Sequence, residues 1–206
     1  MAVEAVATNG ELFGTTESAL LSEVRLQRGP ALAPVSFFPG YFDSRGWSTA
    51  GVFPGVSDGS YLSLSFTVAD GYHFTPDRFS FFYEEGGNGR GPVRVEVRGS
   101  GDSFSSILHA DPDPWEGSLE TVLGEAWTTP MSGEVELRLY GYGAADGSGI
   151  LGLTNSPSLL DGMGNEVAVL LEGEVNAIPE PATMALAASL AALAMAGWRQ
   201  IRIFRK

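Results

Sequence analysis

Short runs of alternating apolar and polar residues, cut by turn formers, recur between residues 24 and 175. Residues 61–68 put Leu62, Leu64, Phe66 and Val68 on one face and Ser63, Ser65 and Thr67 on the other. Residues 93–98 and 135–140 alternate strictly, with valines or leucines facing in and Arg94, Glu96, Arg98, Glu136 and Arg138 facing out. Phe79, Phe81 and Tyr83 share one side of a further run, residues 24–27 alternate, and residues 167–175 close the series. A period of two with one apolar and one wet face predicts antiparallel strands, and this many of them predict two packed sheets, an all-β sandwich. The outward arginines and glutamates are expected to pair across the exposed face, each pair contributing a few tenths of a kcal/mol. A supply of 27 glycines and 12 prolines provides the turns. Residues 1–20 carry no clear pattern, and residues 29–60 read as a long irregular loop or short broken strands.

The pattern changes after residue 176. Pro179-Glu180-Pro181 is followed by residues 182–198, ATMALAASLAALAMAGW, in which no side chain ionises. As a helix this run rises ~1.5 Å per residue and spans roughly 26 Å, close to the hydrocarbon thickness of a bilayer. Ala182, Leu186, Leu190 and Leu193 lie along it, and Trp198 sits where an interfacial aromatic belongs. Arg199, Arg202, Arg205 and Lys206 form a basic stop that favours the cytoplasmic side. Eight of the seventeen residues are alanine and three are leucine, so the anchor is a weak one. Residues before Ile178 are then expected outside the membrane. The chain divides into residues 1–20, a β-sandwich ectodomain at 21–176, and a terminal segment at 177–206.

Pro179-Glu180-Pro181-Ala182-Thr183, the apolar run and the basic end together resemble the PEP-CTERM sorting signal of Gram-negative and related bacteria. The resemblance implies recognition by an exosortase, an integral membrane enzyme that cuts near the tripeptide and releases or transfers the ectodomain. A second resemblance covers residues 45–175, from Trp47 through the serine-alternating strand, Gly71-Tyr72, the aromatic strand, Gly91-Pro92 and VEVRGSGDSFSSIL to VELRLYGYGA and the closing strand. This order is similar to the jelly-roll-like ectodomains found ahead of such anchors. Arg98, Ser100, Asp102 and Phe104 match the family segment, whereas Ser103 stands where relatives carry glycine. Near residue 154 a threonine replaces the relatives' aspartate.

Charge narrows the function classes. Residues 1–178 hold 24 acidic side chains against eight arginines and no lysine, a net −16. Such a surface repels phosphate backbones, so nucleic acid is not an expected partner. The chain has no cysteine, which removes disulfides, thiolate catalysis and thiolate metal sites. An exported protein needs a leader, and MAVEAVATNGELFG has neither a basic start nor an apolar core. Ala5-Val6-Ala7 does read as a small-x-small cleavage site, so the signal peptide is expected to be missing or trimmed, with the true start upstream or the chain shortened.

Candidate chemistry is sparse. His73 lies in a turn-like Gly-Tyr-His-Phe-Thr-Pro, and His109 precedes Asp111-Pro112-Asp113-Pro114-Trp115, where it could orient a nucleophile or a metal with Asp111. No nucleophile elbow, His-Glu-x-x-His or phosphate loop is present. Glu84 and Glu85 point to opposite faces of a strand and cannot form a glycosidase pair by themselves. No cofactor is required. Calcium is the ion the acidic turns could hold, through Asp102, Asp111, Asp113, Asp146 or Asp161. Trp47, Trp115 and Trp127, in predicted loops, are the candidate glycan-contact aromatics. The expected function is therefore that of a non-enzymatic cell-envelope or extracellular-matrix protein associated with exopolysaccharide. The alternative is a secreted carbohydrate-binding or carbohydrate-active module on the same anchor.

Overall fold

The computed structural model describes residues 2–8, 11–16, 18–35, 41–86, 89–111, 118–123 and 130–179. Residues 1–176 form one compact unit and residues 177–206 a second. Among the described residues the protein is all-β, with one short 3-10 turn and no α-helix.

The larger sheet contains β1 (Ala2–Thr8), β2 (Glu11–Thr16), β4 (Ala33–Pro34), β5 (Tyr41–Arg45), β7 (Tyr72–Gly86), β10 (Ser118–Leu123), β12 (Ile150–Thr154) and β15 (Val169–Ala177). Its order is β2-β1-β15-β7-β12-β5-β4, with β10 added on β7. The smaller sheet is β3 (Leu21–Arg28), β6 (Tyr61–Val68), β11 (Gly133–Tyr142), β8 (Arg94–Gly99) and β9 (His109–Asp111), in that order. A separate ladder, β13 (Ser156–Leu160) with β14 (Glu166–Val167), packs Leu159 and Val167 against Leu170 of β15. At one edge β2 lies beside β3, so the two antiparallel sheets curl toward each other there.

The alternation read from the sequence sets the register. In the β6–β11 ladder Leu62 faces Leu139, Leu64 faces Leu137 and Phe66 faces Val135. All six are buried, and they meet Phe79, Phe81 and Tyr83 of β7 and Leu151 and Leu153 of β12 in one core. A slip of one residue would turn every apolar side chain of β6 outward, which is why this register is strongly specified. A void of about 10 Å³ remains between the sheets, lined by side chains such as Leu64, Phe81, Leu137 and Leu153. It is large enough for about one water and offers it no polar partner.

The N-terminus differs from the sequence expectation. Residues 1–20 supply two strands: β1 pairs with β2 from Val3↔Thr16 to Thr8↔Glu11, and adds to β15 from Ala2↔Glu172 to Ala5↔Val169. These segments lack a clean apolar–polar alternation, and their place in the sheet comes from pairing with each other and with β15. Ala5-Val6-Ala7 thus lies within a paired strand. His73 also falls inside a strand, β7, rather than in a turn.

Candidate functional site

The outer face of the smaller sheet carries a group of charged and aromatic side chains. Strict alternation sends Glu96, Arg98, Glu136, Arg138, Tyr140 and Tyr142 to this face, and the β11–β8 register sets Arg138 directly opposite Arg98. Like charges in that position repel. Each arginine is neutralised within its own strand, so the expected cross-strand pairing is corrected to an i, i+2 pairing. Arg98 Nη2 and Nε donate to Glu96 Oε2 at 2.7 and 3.0 Å. Arg138 Nε and Nη2 donate to the two oxygens of Glu136 at 2.9 and 3.0 Å.

This face is not wet at Glu96 and Arg98, whose side chains are 8% exposed each. Phe53, from the loop before β6, lies 3.8 Å over the Arg98 guanidinium. Phe104 and Tyr61 take the same position on Arg138, at 3.9 and 4.3 Å. Arg98 Nη1 also donates to the carbonyls of Phe104 and Ser105, while Arg138 Nη1 reaches the Val56 carbonyl and the Tyr140 hydroxyl. Tyr142 donates from its hydroxyl to Glu96 Oε1 at 2.6 Å. Burial, reinforced by that carboxylate, pushes the Tyr142 phenol above its ordinary pKa. Burial works to lower the Arg138 pKa, but the Glu136 carboxylate and Tyr140 outweigh it and hold the guanidinium charged. All three nitrogens of each guanidinium make hydrogen bonds within the protein. The layer therefore fastens two loops to the sheet.

The motif from Arg98 to Phe104 builds one of those loops. Ser100 Oγ accepts from Glu136 N, and Asp102 accepts from the backbone N–H groups of Ser105 and Ser106. Ser103 and Phe104 both have left-handed backbones, with φ of 59° and 62°.

Two polar contacts join the sheets at their edges. Arg28 leaves β3, donates from Nε to Ser44 Oγ at 2.9 Å and from Nη2 to the Asp43 carbonyl, and lies 3.5 Å from the Phe42 ring centroid. Its burial lowers the guanidinium pKa, against the pull of Asp43. Elsewhere the Tyr83 hydroxyl donates to the carboxylate of Asp111 on β9. His109, the other inward residue of β9, sets its ring edge-on to Phe81. The candidate pair His109 and Asp111 thus faces the aromatic core.

The acidic turn residues stay separate. Asp102 caps its own loop, Asp146 accepts from Ser148 N and Oγ, and Asp161 accepts from Met163 N, Asn165 N and Asn165 Nδ2. Hydrogen bonds from Ser106, Ser148 and Asn165, respectively, lower these three carboxyl pKa values. Among the described residues no three His, Asp or Glu side chains gather into a group fit to hold a metal. Asp113 lies outside the described residues.

One juxtaposition arises from strand order alone. Asp43 of β5 and Glu84 of β7 are both register partners of Gly152, one on each side of β12. The Tyr41 hydroxyl bonds to Glu84 as well, and burial followed by this carboxylate raises the Tyr41 pKa. Three segments far apart in the chain meet here, and no local spacing signals it.

Trp47 is corrected from surface platform to core. It is 2% exposed, its indole N–H donates to the Ser44 carbonyl at 2.7 Å, and a Cβ on Gly141 would sit 2.6 Å from its ring. Tyr140 and Tyr142 are buried in β11. Trp115 and Trp127 lie outside the described residues, as do Glu180, Pro181, the run 182–198 and the basic tail. Among the described residues no helix is long and apolar enough to cross a membrane. No protein-family model matches the chain, and no curated protein matches it.

Proposed function

We propose that this chain is an exported cell-envelope or extracellular-matrix protein, held by a C-terminal membrane helix and processed at Pro179-Glu180-Pro181 by an exosortase. One observation carries the reading: a Pro-Glu-Pro boundary, a seventeen-residue run without an ionisable group and four cations follow one another without interruption. The PEP-CTERM resemblance of those three parts supplies the processing step. The two sheets are read as a jelly-roll-like sandwich ectodomain with a non-enzymatic role beside extracellular polysaccharide. Arg98 and Arg138 are committed to Glu96, Glu136 and backbone carbonyls, and the charged layer is read as structural. The carbohydrate-binding alternative gains nothing from Trp47, whose ring is buried.

Topology tests the proposal. With an export signal supplied upstream, a periplasm-active reporter placed before Asn176 and a cytoplasm-active reporter placed after Lys206 should both give signal. A cytoplasmic location of residues 1–178 in that fusion would overturn the membrane reading.

A further inference from the structure

No further inference is drawn: the strongest candidate, the carboxylates of Asp43 and Glu84 on either side of Gly152 on the outer face of the larger sheet, is an acidic cluster at which no second observation points to a ligand.

Discussion

The hydroxyl of Tyr83, on a side chain with 0% exposure in β7, donates to the carboxylate of Asp111 on β9 and so ties the larger sheet to the far edge of the smaller one. A hydrogen bond to a charged acceptor contributes about 1.5–3 kcal/mol, and a buried partner left short of a donor costs a similar amount. Tyr83→Phe keeps the ring, which stacks on Phe81 at 5.9 Å, and removes only the donor. Urea unfolding should show a loss of about 2 kcal/mol, and most of that loss should vanish when Tyr83→Phe is made on an Asp111→Ala background. Equal losses on both backgrounds would show that the bond does not couple the sheets.

Ser103 and Phe104 have nearly the same backbone angle but should respond differently to glycine. A left-handed conformation costs a residue with a Cβ about 1–2 kcal/mol, and glycine escapes this. Ser103 is exposed, so Ser103→Gly should raise the unfolding free energy by about 1 kcal/mol. Phe104 also covers the Arg138 guanidinium at 3.9 Å, a contact that contributes about 0.5–2 kcal/mol. Phe104→Gly should therefore be neutral or destabilising. The measurement is the urea midpoint of each variant at constant slope. Destabilisation by Ser103→Gly would show that serine makes a contact there that outweighs the backbone cost.

Tyr142 makes alkaline stability a readout of the covered layer. Its pKa is raised in the folded protein, by burial first and by Glu96 second. The folded state therefore retains the phenolic proton more strongly than the unfolded chain does. That contribution is complete below the unfolded pKa of about 10 and is lost as pH rises through the folded value. Unfolding midpoints measured from about pH 8 to about pH 11 should fall, and Tyr142→Phe should make the fall shallower. Tyr41 and Tyr140, raised chiefly by burial as well, leave a residual slope in that variant. An unchanged profile in Tyr142→Phe would show that this hydroxyl contributes nothing to the pH dependence.

The strands of the central core were legible because each has one uniformly apolar face. Leu62, Leu64, Phe66 and Val68 announce β6 without help from the rest of the chain, and Leu137 is as buried as its alternation implies. What stayed hidden depends on partners distant in sequence. Arg98 and Glu96 read as surface charges because nothing near them shows that Phe53, more than forty positions earlier, covers them. Trp47 reads as a loop aromatic until Gly141 is seen to leave room for its ring. The β1–β2 hairpin is set by the edge of β15, more than 150 residues away in the chain. The row of Asp43, Gly152 and Glu84 is likewise a product of strand order. Ser103 is the case in which sequence and geometry converge: the resemblance read from the sequence leads one to expect glycine there, and the backbone is left-handed.

Glu180 is the residue on which the processing proposal stands. It is the only ionisable side chain between Glu174 and Arg199, so it offers a single charge that a basic pocket can read. Proline on either side fixes φ and biases the preceding residue toward extended geometry. Those prolines also deny an apolar helix an earlier start, which places the tripeptide at the outer boundary of the membrane in the proposed topology. In a host with an exosortase, Glu180→Ala should leave full-length protein in the membrane fraction, its tail uncut, while wild type appears shortened by mass spectrometry. Removing residues 199–206 should act at an earlier step, disturbing orientation or retention through loss of the basic stop. The two variants thus separate recognition from insertion. Processing and release of Glu180→Ala at the wild-type rate would reduce Pro179-Glu180-Pro181 to a linker.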